Sequence, residues 1–452
     1  MKTIELEEAA RLVKEATSLT AEERAALRAE RLKALVGYAK EHSPYLSALY
    51  KDLGEDFTLE DLPVTQKADL LAHYHDWVTD PELDADKVRA YLKRDPSDAS
   101  LLLGKYTALQ TSGSTGNPLP MVRDDYHNKI HACLLRQRLF MGVEPGLFDH
   151  TKHKTAFLVH ISNSASSYGS YLKMKKAHPG FDENIIALSI MDDIDRITAQ
   201  LNAFQPEIIV GYPPVLVMLA QEKKRGTLQI PVKLILSSAE LLTDENYYRI
   251  REAFGVPILN NYCMTEGGEI AMTNQGPALH INDDWIIVEP VDENLQVITD
   301  PDTYSAGILV TDLSNYVQPI IRYFVSDTVR ISPSEDAGND RPVLHINGRV
   351  WESFTLGGKA FTSKALEVKA KFQQGLCQYQ FVQTDEATLE LRGLVAAGEE
   401  KKAVLASLAD ALMHYFEEAG CKDAKVVCSM EPLLHNANGG KTPVYIKTYK
   451  TM

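Results

Sequence analysis

The chain has 452 residues, 44% hydrophobic and 24% charged, with a formal net charge of −15. That length exceeds one typical core and implies about two or three domains of ordinary globular composition. The acidic balance argues against a general affinity for nucleic acid or for an anionic membrane surface, though not against a local cationic pocket.

Residues 5–50 read as helical, with Leu27, Leu32, Leu35, Val36 and Tyr38 on a core-facing stripe. In "FTLEDLPVTQKADLLAHY", Pro63 breaks the pattern and Thr65 is placed to cap a new helix. The clearest architecture runs from 185 to 262. "DDIDRITAQLNAF" puts Ile194, Ile197, Leu201 and Phe204 on one helical face. "EIIVGY" is a buried strand, and "PPVLVMLAQEKKRG" is a helix opened by proline and closed by Gly226. "VKLILSS", "DENYYRIREAF" and "VPILNNY" then read strand, helix, strand. This alternation predicts an α/β fold, a parallel sheet covered by helices. Ligands of such sheets bind beyond the carboxyl ends of the strands, here after 211, 237 and 262.

From about 278 to 347 the chain is strand-like and turn-rich, with "SPSEDAGNDRP" as an exposed loop. Beyond "GRVWES", helices and strands alternate over a hundred residues, enough for a small α/β domain. The expected division is a large N-terminal domain, 1–348, and a C-terminal domain, 349–452, with the boundary near Arg349 to Ser353. Five cysteines, at 133, 263, 377, 421 and 428, form no CxxC pair. That fits neither a disulfide framework nor a zinc module, and suits a reducing compartment. "MKTIELEEAARLVKEAT" lacks the apolar core of a signal peptide. No run approaches the roughly 18 apolar residues of a membrane span. The expectation is a cytoplasmic protein with no membrane partner.

One stretch stands out. "TSGSTGNP", Thr111 to Pro118, clusters small and hydroxyl residues around Gly113 and Gly116. Such a cluster makes a surface turn, or a loop whose amides and hydroxyls wrap phosphate. Walker A is excluded, because no lysine follows Gly116 and the glycines are too close. The dinucleotide fingerprint G-x-G-x-x-G is absent from this segment.

The pattern [ST]-[SG]-G-[ST]-T-G-x-P resembles the phosphate loop of the adenylate-forming enzymes, a superfamily of acyl-CoA synthetases, adenylation domains and luciferases. Five further segments resemble that superfamily in its order. They are Ser237–Thr243, Tyr262-Cys263-Met264-Thr265-Glu266, the run carrying Asp312, Arg322, Tyr323 and Asp327, Gly348-Arg349, and Gly440-Lys441. "SPYLSALYKDLG" and "TLEDLPVTQKADLL" are similar to the opening of phenylacetate–CoA ligases. The resemblance runs from about Tyr45 to Lys441.

It implies activation of a carboxylic acid by ATP. The acid attacks the α-phosphorus, pyrophosphate leaves, and a thiol then displaces AMP from the acyl-adenylate. The resemblance assigns Thr111, Ser112, Gly113, Ser114, Thr115 and Gly116 to the β- and γ-phosphates. It places Ser238, Ala239, Glu240 and Tyr262 around the nucleotide and Asp327 on the ribose hydroxyls. Thr265 would reach the α-phosphate and Glu266 would hold Mg²⁺, a hard cation suited to carboxylate oxygen. Arg349 would reach ribose or phosphate, and Lys441 would bridge the carboxylate and the α-phosphate. His160, Tyr212, Ser237 and Cys263 would border the acyl group, whose small pocket suggests an aryl or short-chain acid. The C-terminal domain would be a mobile lid.

Three departures stand against the pattern. Cys263 replaces the usual glycine, Trp351 stands where relatives carry an acid, and Thr442-Pro443 is an unusual sequel to Lys441. The acceptor expected is CoA, with a carrier-protein thiol or an amine as the alternative. A catalytically inactive nucleotide-binding protein of regulation or assembly is the reading of another class. The acid and the oligomeric state are left open, a homodimer among the options.

Overall fold

The computed structural model describes every residue except 1, 96–97, 99, 112–117, 142, 145, 148–150, 160, 162–167, 169–170, 173–174, 176–182, 191, 239, 274–275, 337, 350–352, 363–365, 367–368, 371–372, 397, 435–441 and 450–452. The helical opening is three helices: α1 (Leu6–Glu15), α2 (Ala21–His42) and α3 (Pro44–Leu49). Thr20 starts α2 through a capping box with Glu23, and Ser43 caps α3 ahead of Pro44. Leu32, Leu35 and Val36 are buried as expected, while Leu27 and Tyr38 are half-buried. Then follow α4 (Lys67–Ala72), α5 (Tyr74–Trp77) and α6 (Ala85–Leu92). Thr65 does not cap α4. Its hydroxyl donates to Ile321 O and its amide to Arg322 O, so a tertiary contact takes the atoms that a cap would use.

A hairpin of β1 (Thr107–Gln110) and β2 (Pro120–Arg123) carries the Gly-rich loop at its tip. Two residues later α7 (Asp125–Leu134) begins, and a π-helical turn extends it through Leu139. The parallel unit comprises β3 (Thr155–Val159), β4 (Ile185–Ser189), α8 (Ile194–Phe204), β5 (Ile208–Gly211), α9 (Pro213–Arg225), β6 (Leu234–Ser237), α10 (Asp244–Phe254) and β7 (Ile258–Met264). Antiparallel strands follow: β8 (Gly268–Thr273), β9 (Leu279–Ile281), β10 (Ile286–Val291), β11 (Gly307–Asp312), β12 (Tyr323–Val325), β13 (Asp327–Ser332) and β14 (Val343–Arg349).

Nine strands form one sheet in the order β13-β14-β9-β8-β7-β6-β5-β3-β4. Its character changes within β7. Ile258–Asn260 pair parallel with β6, and Asn261–Met264 pair antiparallel with β8. In the parallel half, β4 lies on one side of β3 and β5 on the other. The connections therefore diverge between β3 and β5, which opens a crevice at their carboxyl ends. Gly211 ends β5 there, where a Cβ would meet Leu158 Cβ and Leu216 Cδ2 at 3.2 Å, so glycine permits the close strand packing. A separate three-stranded sheet, β10-β11-β12, packs its apolar residues into the core shared with the N-terminal helices.

Further along lie the hairpin β15 (Ser353–Leu356) and β16 (Lys359–Thr362), then β17 (Leu376–Gln383), β18 (Thr388–Val395), α11 (Lys401–Glu418), β19 (Lys425–Cys428) and β20 (Tyr445–Lys447). The last four strands form a sheet ordered β19-β18-β17-β20 with α11 packed on it. Phe354, Leu356, Phe381, Leu391, Leu408 and Phe416 cluster in a core of their own. The α/β class expected from the sequence is the one observed. Among the described residues no helix is long and apolar enough to cross a membrane.

Candidate active site

The carboxyl ends of β5, β6 and β7 lie side by side, with Gly211 opposite Ser237 and Ser237 opposite Asn260. Tyr212, Ser238 and Tyr262 thus emerge along one edge of the sheet. Ser238 N–H donates to Gly211 O, which locks the turn after β6 to β5. Ser237 Oγ and Asn261 Oδ1 are buried with no hydrogen-bond partner among the described residues. Buried polar atoms are rarely left so, and a ligand that supplies partners here relieves the cost. Cys263 is exposed at the same edge.

Two tyrosine–carboxylate pairs organise the middle of the site. Tyr262 OH donates to Asp327 Oδ2 at 2.5 Å, which ties the end of β7 to the start of β13. The buried Tyr323 phenol feels the charge of Glu266. Burial first, and then the Glu266 charge, push that phenol well above its ordinary range, so it stays protonated. Asp327 also faces Arg349 across the β13–β14 ladder, so the backbone register brings these two candidates together. The Arg349 side chain lies outside the described residues.

The hairpin is fixed to this centre. Arg123 Nη2 donates to Met264 O at 3.3 Å and to Thr265 O at 2.9 Å. The free edge of β2 is satisfied by two buried side chains. Val122 N–H donates to Gln318 Oε1 at 2.6 Å, Gln318 Nε2 to Pro120 O, and Asn315 Nδ2 to Val122 O. Thr111 N–H donates to Leu119 O, and Thr111 Oγ1 accepts from Leu119 N–H, both at 3.0 Å. Thr111 therefore closes the neck of the loop. Ser112, Gly113, Ser114, Thr115 and Gly116 lie outside the described residues, as do His160, Ala239 and Lys441. Glu240 is placed one turn beyond Ser238, its amide donating to Ser238 O.

Sequence reasoning assigned no role to Arg123, Asn315, Gln318 or Tyr323. Arg322, inside a recognised motif, is structural. It makes a bidentate pair with Glu289 at 3.0 and 3.1 Å and donates to Leu62 O. A groove of about 1180 Å³ beside it, bordered by Tyr50, Asp52, Glu55, Glu60 and Leu62, lies apart from this site. Its carboxylate rim repels ATP and carboxylates alike.

This fold is that of the adenylate-forming acyl-CoA ligases. A 2-hydroxyisobutyryl-CoA ligase in its postadenylation state, in complex with R3-HIB-AMP, overlaps with a TM-score of 0.65 at 20% identity, covering 96% of this chain and 91% of that one. The same ligase with 2-HIB-AMP and CoA in the thioesterification state overlaps with a TM-score of 0.55 at 19% identity, covering 95% and 91%.

In sequence the chain is similar to phenylacetate–coenzyme A ligases. It is 26% identical over 342 residues to that of Thermus thermophilus, which covers 69% of this chain and 67% of the relative. It is 28% identical over 200 residues to that of Pseudomonas putida, 42% of this chain and 43% of the relative. No protein-family model matches the chain.

Proposed function

We propose that this chain activates a small carboxylic acid with ATP to an acyl-adenylate and transfers the acyl group to the thiol of CoA. The observation that carries the reading is the Tyr262–Asp327 hydrogen bond at the end of β7, with the phosphate-loop hairpin clamped by Arg123 to the adjoining Met264–Thr265 backbone. In the first step a carboxylate oxygen bonds to the α-phosphorus and the bond to pyrophosphate breaks. In the second a thiolate attacks the acyl carbon and AMP leaves with the bonding pair.

The chain's residues take the following parts. Asp327, held by Tyr262, is a bidentate acceptor for ribose hydroxyls. Glu266 offers the anionic oxygen that Mg²⁺ prefers, and the ion would offset charge on the phosphates. The hairpin loop from Ser112 to Gly116 wraps the β- and γ-phosphates, with Thr111 closing its neck. Thr265 and Arg349 flank the α-phosphate and ribose, and Ser238, Ala239 and Glu240 border the base. Ser237, with its unpartnered hydroxyl, Tyr212, His160 and Cys263 border the acyl group. The small, partly apolar character of these residues suits an aryl or short-chain acid. Lys441 acts from a C-terminal lid, 349–452, hinged on the N-terminal domain, 1–348. Five free cysteines support placement in the cytoplasm.

The test is exchange of labelled pyrophosphate into ATP across a panel of aryl, amino and short-chain acids. Mg²⁺-dependent exchange with at least one acid is expected, followed by thioester formation on adding CoA. Thioester on a carrier protein alone, or amide formation, would replace CoA as the acceptor. No exchange with any acid, together with no ATP binding by calorimetry, would remove the enzyme reading.

A further inference from the structure

The reading above leaves two histidines without a part. His127 and His131 lie one turn apart on α7, both buried, with rings stacked at 4.0 Å. His131 bridges two elements. Its Nδ1 donates to Glu269 Oε2 at 2.5 Å, and the Glu269 amide nitrogen lies 3.1 Å from the same atom. Its Nε2 is 3.0 Å from Ser314 Oγ. The Ser314 hydroxyl donates to Asp312 Oδ1 at 2.6 Å and lies 2.9 Å from His127 Nδ1. Glu269, His131, Ser314 and Asp312 therefore form one hydrogen-bonded line from β8 through α7 to the end of β11.

That line ends beneath the turn carrying Glu266. Gly268 sits at φ +63°, and a Cβ there would lie 2.3 Å from His131 Cε1 and 2.5 Å from Nδ1. The imidazole is thus packed against the turn's backbone, and glycine is required on both counts. Arg123 grips the other end of the same turn at Met264 O and Thr265 O. Arg123 ends β2, and α7 begins two residues later. Hairpin and helix thus hold the turn at both ends as one piece. Burial alone would disfavour a His131 cation, but Glu269 and Asp312 outweigh it and hold the imidazole protonated up to about 9. A charged ring between two carboxylates makes shorter and stronger hydrogen bonds than a neutral one.

We propose that His131 is a positioning residue for the Thr265–Gly268 turn, keeping Glu266 in register with the phosphate-loop hairpin. The proposal rests on the ligase reading for what Glu266 does, not for how the turn is held.

The test uses the full chain and two variants. His131→Leu keeps bulk without hydrogen bonds, and His131→Gln keeps a partial donor set. Hydrogen–deuterium exchange is measured first, since it needs no activity. The peptide covering 264–269 is expected to exchange about 10-fold faster in His131→Leu, with Ile258–Asn260 unchanged and His131→Gln in between. Pyrophosphate exchange is then titrated with Mg²⁺. His131→Leu is expected to raise the half-saturating Mg²⁺ concentration about 10-fold, with partial recovery in His131→Gln. If His131→Leu does not fold, Ser314→Ala interrupts the same line one bond further out and is expected to give the same direction of change.

Unchanged exchange at 264–269 in the folded variants would overturn the proposal whatever the wild type catalyses. So would a turn that loosens with no change in Mg²⁺ dependence, which is the signature of a merely structural contact. His127, His131 and Asp312 also bring ligand atoms within 4.8 Å of one another. One equivalent of tightly bound zinc in the purified protein would replace the protonated line by a metal site and likewise overturn it. A wild type without pyrophosphate exchange would remove the ligase reading and leave the deuterium result standing.

Discussion

Glu266 and Asp327 each have a phenol beside them, and the two phenols differ in setting. Tyr323 is buried, and burial with the Glu266 charge holds its hydroxyl protonated. Tyr262 is half-buried at the sheet edge, where its ring is available to a bound base while its hydroxyl orients Asp327. Glu266→Gln keeps the shape but removes the anionic oxygen. The half-saturating Mg²⁺ concentration for pyrophosphate exchange should rise about 10-fold, the equivalent of about 1.4 kcal/mol. The Michaelis constant for ATP at saturating Mg²⁺ should change little. A Mg²⁺ titration of both proteins checks this, and superimposable curves would take Glu266 out of the site. Glu266 and Asp327 stand out in the sequence because short motifs carry them. The bond between Tyr262 and Asp327 spans 65 positions and depends on strand packing that no local pattern encodes.

At the scale of elements, α7 links the hairpin to the core, and its N-cap is unusual. Asp124 is fully buried, accepts from His127 N–H, and leaves Oδ2 without a hydrogen-bond partner among the described residues. Burial is the main cause that raises its carboxyl to about 7. An ordinary aspartate ionises near 3.9. The folded protein therefore binds a proton more tightly at this group than the unfolded chain does. That stabilising contribution is complete below about 4 and is lost as pH rises through about 7. Asp124→Asn keeps the cap without the charge. Its thermal midpoint should fall less than that of the wild type between pH 4 and 7, and parallel profiles would show that Asp124 is solvated. The elements themselves were legible wherever period and punctuation agree, as in α9, which opens at Pro213 and stops at Gly226. They were not where a side chain finds a distant partner. Thr65 abandons a cap for Ile321 O, and Arg123, Asn315 and Gln318 act across 141 to 198 positions. The division of β7 into parallel and antiparallel halves depends on β8, and "VPILNNY" reads the same with or without it.

At the scale of the whole molecule, the ligase reading needs two arrangements. Adenylation requires Lys441 over the α-phosphate, and thiol attack requires that space to open to CoA, so rotation of the lid should gate the second step. In the described structure α9 meets β17, where Gln221 Nε2 donates to Cys377 Sγ at 3.7 Å. This contact joins the parallel-sheet unit to the C-terminal sheet and offers a place to pin them. Gln221→Cys joined to Cys377 by a short bifunctional thiol reagent should hold the arrangement. The experiment belongs in a Cys263→Ser background, because Cys263 is exposed at the site and would react as well. The bridged protein should form acyl-adenylate at near its unbridged rate and lose thioester formation by about 10-fold or more. A cleavable reagent should restore the thioester step on reduction. Acyl-adenylate and thioester are measured separately in single turnovers, against the same background lacking Gln221→Cys. Equal loss of both steps would mean that the bridge distorts the site. Full retention of both would mean that transfer needs no movement across this contact. In that case the hinge near Arg349, with Trp351 in place of an acid, would not gate the reaction, because the thiol would reach the acyl carbon with α9 and β17 still joined.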